Sequence, residues 1–191
     1  TDTLSNLVRP VPYLLSLSVL DARGVVVAST NPENLFLSVD LADFFPDTDP
    51  KAEVLRVGWP RSGRDFSHAL VSAKPAVLSP DGRYFIPVLR KLSSEQGAFW
   101  LLAALNPEHF ITESVGMLAS GDGAMQWLRY DGVLLGSSLL ADAPGSLGAQ
   151  GRVDWQPPNP ESGELSQELA DGRSVLTAYR AAERFPVVVA V

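Results

Sequence analysis

The chain contains no cysteine. Disulfide cross-links, cysteine-ligated zinc and cysteine nucleophiles are thereby excluded. Histidine is nearly as scarce, with His68 and His109 the whole supply, so a histidine-rich metal site is excluded as well. Lysine and arginine form no run: 15 basic residues are scattered singly among 22 acidic ones, giving a net charge of −7. Binding to nucleic acid needs a clustered positive face to neutralise phosphates, and none is written here. The acidic excess favours solubility. No apolar stretch approaches the roughly 18–20 residues that span a bilayer, and no signal peptide is expected within these residues.

Catalytic motifs are missing too. No serine stands in a Gly-x-Ser-x-Gly context. Gly121-Asp122-Gly123 lacks the third glycine and the lysine of a phosphate-binding loop, and His-Glu-x-x-His does not occur. The close carboxylates Asp47 and Asp49 sit in a proline-flanked loop, where solvated turn-forming charges are the ordinary reading. The expectation is a fragment that is not an enzyme and that carries no metal and no cofactor.

What is present is a globular balance: 191 residues, 46% apolar and 19% charged, enough to bury a core in one large or two small domains. Leu4, Leu7 and Val8 have helical spacing and fit the last turns of a longer helix. Strands are expected at residues 15–20 and 25–29 around the turn Asp21-Ala22-Arg23-Gly24, and a short helix through 41–45. Further strands are expected at 54–59, 66–71, 84–92 and 98–105. Pro87 inside one of these argues for an edge or a bulge. Asn106-Pro107-Glu108 is a strong helix start, with a capping asparagine, proline at the first position and an acid matched to the dipole. Beyond it a second hairpin is expected around Asp131-Gly132, then a Pro/Gly/Ser-rich loop over 141–164, then strands at 174–182 and 186–191. The last of these ends abruptly, as expected of a piece of a longer chain.

The punctuation repeats. Val19 to Ser29 resembles the stretch from Leu128 to Ser137, and Asp81-Gly82-Arg83 with Arg90 resembles Asp171-Gly172-Arg173 with Arg180. Each is followed by an apolar strand. The Asp-to-Asp interval is 60 residues in the first copy and 40 in the second, so the second is a shortened version of the first. Two antiparallel five-stranded sheets, each with helices on one face, are the expected α+β architecture.

These residues carry a family resemblance. Phe85-Ile86-Pro87-Val88-Leu89-Arg90-Lys91-Leu92, Gly97-Ala98-Phe99 and Ala103-Ala104-Leu105-Asn106-Pro107-Glu108-His109-Phe110 resemble the first module of the double-Cache (PDC-type, PAS-like) sensor domain. Residues 127–135 resemble the opening of its second module and residues 179–189 its close. The resemblance implies two tandem units, a membrane-distal one over 1–120 and a smaller membrane-proximal one over 121–191. It implies an extracytoplasmic, periplasmic setting between two transmembrane helices of a receptor such as a diguanylate cyclase or histidine kinase. A small-molecule ligand is the implied partner, and a homodimer in the full-length receptor is compatible with it. The amino-acid-binding pattern of the family has no counterpart here. The alternative is a ligand-free scaffold acting through protein contacts, with a small hydrolase a more distant rival.

The candidate ligand residues lie mostly in the longer interval of the first unit. Trp59 leads into Pro60-Arg61-Ser62-Gly63-Arg64: a pocket wall with one or two anion-binding guanidinium groups, or a core indole beside a solvated loop. His68 alternates with Phe66 and Leu70 on an expected strand face, as a hydrogen-bonded core histidine or a pocket donor. Arg90 shares a face with Tyr84, Ile86 and Val88. A buried cation there must find an anion of the protein or of a ligand, unless it lies at the rim. The equivalent Arg180 argues for a shared structural role. Guanidinium groups make a carboxylate the first ligand to test.

Overall fold

The computed structural model describes residues 4, 6, 11–45, 54–69, 83–95, 97–116, 118, 123–138, 159, 161–168, 172, 174–183 and 185–191. They form two compact units, Thr1–Phe110 and Ile111–Val191. The expected N-terminal helix lies largely outside the described residues, as do the Asp81 and Asp171 turns.

The first unit begins with the hairpin β1 (Leu14–Leu20) and β2 (Val26–Ser29). The turn closes because the Asp21 carboxylate accepts the amides of Arg23 (2.9 Å) and Val25 (3.0 Å) while Gly24 takes φ = +81°. A 3-10 turn (Pro32–Asn34) and the short helix α1 (Leu41–Phe44) follow, the latter capped by Asp40. Then come β3 (Arg56–Val57), β4 (Arg61–Ser62) and α2 (Phe66–Ala69). The long antiparallel pair β5 (Tyr84–Ser94) and β6 (Gly97–Leu105) completes the sheet, and α3 (Pro107–Val115) begins at the expected Asn106-Pro107 signal. The strand order is β2-β1-β6-β5-β3, with β4 also on β5, so this sheet has six strands rather than five.

The second unit has β7 (Gln126–Arg129), β8 (Leu134–Ser137), β9 (Ser162–Glu168), β10 (Ser174–Ala181) and β11 (Val187–Ala190). Its order, β8-β7-β11-β10-β9, is that of the first sheet with β4 removed. The turn chemistry repeats as well, with Gly132 at φ = +83° matching Gly24. The tandem α+β architecture read from the sequence is therefore present. Its core joins Leu128, Leu134, Tyr179, Val188 and Ala190.

Three expectations differ in detail. The loop expected over 141–164 gives way to strand at its end, where β9 begins at Ser162. Residues 54–59 pair only through Arg56 and Val57. Residues 66–69 are a helical turn and not a strand; Ala69 donates back to the Asp65 carbonyl at 3.1 Å. Pro87 lies in a strand flanked by β6, yet no ladder amide is lost on the other side. β3 pairs with Val88 and Leu89, β4 with Tyr84 and Phe85, and at the gap between them Gly58 donates to the Pro87 carbonyl at 2.8 Å.

The inner face of the first sheet carries Leu20, Val26, Phe85, Leu89, Trp100, Leu102 and Ala104, packed under Val39, Phe44, Phe45, Phe66 and Ala69. On β1 the pattern has an unusual sign. Ser16 and Ser18 point inward at 0% exposure, whereas Leu15 is 42% exposed.

Candidate functional site

The segment from Trp59 to Phe66 wraps α1. The Trp59 amide donates to the Phe44 carbonyl at 3.3 Å. One residue past Pro60, an Arg61 amino group donates to the Asp43 carbonyl, and its guanidinium carbon stands 4.9 Å over the Phe44 ring. Arg61 makes no ion pair among the described residues, and its Nε is buried without a hydrogen-bond partner. Burial lowers its pKa from the usual arginine value, and the nearby Asp43 charge opposes that shift. It is a half-desolvated cation beside an aromatic wall, with donors to spare.

Phe66 belongs to the core itself. Its ring meets Phe44 at 5.5 Å and Phe85 at 5.0 Å, both edge-to-face, and none of it reaches solvent. The helical turn that seats Phe66 inward turns His68 outward: His68 is exposed, with its ring nitrogen 3.2 Å from the Ser67 hydroxyl. Its reading as one residue of an apolar strand face is thus corrected, because α2 replaces that strand. Arg64 is exposed.

Tyr84 and Arg90 lie elsewhere. Arg61 is the cross-strand partner of Phe85, so alternation along β5 sets Tyr84 on the opposite face. The Tyr84 hydroxyl is buried without a partner among the described residues; burial raises its pKa, with Glu108 adding to the shift. Arg90, opposite Leu101, is exposed and forms no ion pair among the described residues, as is Arg180, opposite Val189. Both face solvent. The structure therefore gathers Trp59, Arg61 and Phe66 around α1 and leaves Arg64, His68, Tyr84 and Arg90 apart from them.

Beneath this region lies a buried polar cluster that no sequence motif marks. Asp65, Ser16, Ser18, Ser29 and Asn34 are all at most 4% exposed. A lone aspartate and dispersed serines carry no motif; the available signal was the placing of Ser16 and Ser18 on alternate positions of an otherwise aliphatic strand.

In the second unit a cleft of about 570 Å³ is lined by Tyr130, Tyr179, Arg180, Glu161 and Glu183 among others. Both tyrosine hydroxyls are committed, Tyr130 to the Ala182 carbonyl at 2.9 Å and Tyr179 to that of Asn159 at 2.6 Å. Among the described residues no group of acidic or histidine side chains is placed to hold a metal ion, and no helix is long and apolar enough to cross a membrane.

The repeated strand order defines a class: the fold is that of the extracellular sensor domains of bacterial receptors, and the double-Cache resemblance holds at the level of fold. One similar solved structure is the extracellular domain of histidine kinase rpHK1S-Z16, with TM-score 0.65 and 21% identity over 99% of this chain and 74% of that one. Another is the sensor domain of the V. cholerae histidine kinase DctB, with TM-score 0.55 and 9% identity over 99% and 75%. A third is the ligand-binding domain of the Pseudomonas aeruginosa PAO1 amino acid chemoreceptor PctB in complex with L-Arg, with TM-score 0.56 and 13% identity over 100% and 83%. No family model and no curated protein matches the sequence.

Proposed function

We propose that this chain is the extracytoplasmic sensing part of a bacterial membrane receptor and that its first unit takes a small carboxylate ligand. Arg61 carries this reading. It is a half-buried cation set against the Phe44 ring, with no ion pair among the described residues and an Nε that meets no hydrogen-bond acceptor among them. A ligand carboxylate would supply the missing partner in a bidentate pair. Trp59 would wall the site. Arg64 and His68 lie at the exposed end of the same segment, and Phe66 packs in the core beneath it without reaching the ligand. Tyr84 and Arg90 stay out of the site in this reading.

The periplasmic location is inferred from the fold, as is relay through flanking membrane helices to a kinase or diguanylate cyclase output. Such relay requires the ligand to bind one of two receptor states more tightly. The fragment itself performs no turnover; neighbours of the same fold are sensor domains. Amino acids carry the same carboxylate, and those bound to PctB are L-Arg and L-Gln.

The test is a melting-temperature screen of the 191-residue chain with acetate, pyruvate, succinate, citrate, L-arginine and L-glutamine. A ligand at 100 times its dissociation constant stabilises the fold by about 2.7 kcal/mol. Arg61→Gln and Trp59→Ala are expected to keep the fold and lose the shift. A shift that survives Arg61→Gln refutes the assignment. No shift with any member of the panel favours the ligand-free scaffold.

A further inference from the structure

Four hydrogen bonds in the first unit converge on a carboxylate that the proposed ligand site does not use. Asp65 is 4% exposed. Its Oδ1 accepts the Ser16 hydroxyl at 2.7 Å and the Phe66 amide at 2.6 Å. Its Oδ2 accepts the side-chain amides of Asn31 at 2.9 Å and Asn34 at 2.8 Å. The circle continues outward. The Asn34 side-chain oxygen accepts the Ser67 amide at 3.0 Å, and Ser29 accepts the Asn31 amide at 3.1 Å while lying 2.9 Å from the Ser18 hydroxyl.

No lysine or arginine among the described residues pairs with Asp65. A buried carboxylate is costly unless all its lone pairs are met, and apolar residues of similar volume often serve stability as well. Helix capping is a weak reason for such a group, because α2 has four residues. Three of the four donors come from 31 to 49 positions earlier in the chain. What the arrangement supplies is register: one side chain fastens β1, the 3-10 turn and α2 together.

We infer that Asp65 is a positioning residue, a clasp that holds the ligand-site segment to the β1–β2 hairpin and makes occupancy of that site felt there. This rests on the first-unit ligand site proposed above. Arg61 precedes Asp65 by four residues and Phe66 follows it directly. Arg61 lies over Phe44, which packs on Phe66 at 5.5 Å. An anion that draws Arg61 therefore pulls on a short segment whose far end is the clasp. Coupling of this kind needs an element with two discrete arrangements; the ring of four hydrogen bonds on one acceptor group is closed in this structure, and its opening would be the second arrangement.

The test is residue-resolved amide exchange on the whole 191-residue chain, comparing the natural sequence with Asp65→Asn. Asparagine keeps the shape but points two donors at a ring of donors. Without ligand, exchange is expected to rise at least tenfold at Asn31, Phe66 and Ser67, on both sides of the clasp. Leu89 and Leu102 in the sheet and Val188 in the second unit are expected to stay unchanged. A uniform rise through the first unit, or no rise at Asn31, overturns the inference. With whichever carboxylate of the screen gives the largest melting shift, the natural chain is expected to gain protection at both the Trp59–Phe66 segment and Asn31. Asp65→Asn should gain it at the segment alone, and protection of Asn31 in that variant overturns the coupling. If no carboxylate shifts the natural chain, the ligand reading fails, and the ligand-free comparison still decides the clasp. Should Asp65→Asn not fold, Ser16→Ala removes one donor, leaves the carboxylate, and carries the same comparison.

Discussion

Phe66→Ala tests how the first unit is held together. The ring has no solvent exposure and makes two edge-to-face contacts, at 5.5 Å and 5.0 Å, with Phe44 and Phe85. Emptying such a site removes the transfer free energy of the ring and leaves a cavity, together about 3–5 kcal/mol. Against a total stability of about 5–15 kcal/mol for a domain, that is a large fraction. With a urea m-value near ~2 kcal/mol/M the midpoint should fall by about 2 M. Because the chain has two units, one averaged midpoint would mislead. The readout is therefore exchange-detected unfolding followed separately for β5–β6 and for β10–β11. The first should shift and the second should not. Phe66→Leu, which keeps much of the volume but no ring, should cost about 1–1.5 kcal/mol. A loss under about 1 kcal/mol for Phe66→Ala would refute the packing argument and return Phe66 to the ligand-contact role its sequence context invited.

Tyr84→Phe removes a buried hydroxyl that has no partner among the described residues, so stability at neutral pH should hold or rise by up to about 1 kcal/mol in chemical denaturation. The same substitution should flatten the alkaline limb. Burial raises the folded-state pKa of Tyr84 above the unfolded value of about 10, so the folded state keeps a proton that the unfolded state loses. Stability is thus constant below that pH and declines above it, and the phenylalanine variant should not show this part of the decline. Gly163→Ala should destabilise the second unit by about 1–2 kcal/mol, read as a lower melting temperature. A Cβ there would stand 2.6 Å from the Tyr179 hydroxyl and displace it from the Asn159 carbonyl.

The fold was legible where structure is decided locally. Asp21-Ala22-Arg23-Gly24 and Asp131-Gly132 state their turns outright, since a side-chain acceptor and a residue tolerant of positive φ lie within one turn of chain. Asn106-Pro107-Glu108 states a helix start for the same reason. The segment at residues 66–69 was misread because Phe66 and His68 satisfy a period of two while Phe66 and Ala69 satisfy a helical one, and four residues cannot separate them. What settles the matter is the Asn34 side chain, which takes the Ser67 amide from 33 positions away. Asp65 escaped notice on similar grounds, for its donors are brought together only by the finished sheet. The start of β9 falls in the stretch 141–164 that reads as loop, because residues 162–168, SGELSQE, show little of the branched and aromatic content that marks strands. Arg61 and Trp59 were nominated by composition alone, and their gathering at α1 follows from the carbonyls of Asp43 and Phe44, which no spacing rule exposes.

The ladder between β1 and β6 pairs Leu14 with Leu105, and that between β7 and β11 pairs Gln126 with Ala190. In each unit the strand that begins the sheet and the strand that ends it are thus neighbours, with the paired Cα atoms about 5 Å apart. Tension drawn between those two points loads the hydrogen bonds one rung at a time, as a zipper opens, instead of shearing the whole ladder at once. Such a unit yields mechanically at low force. For the same reason it can be grafted into a host chain as a cassette, since the host need only span the width of two strands.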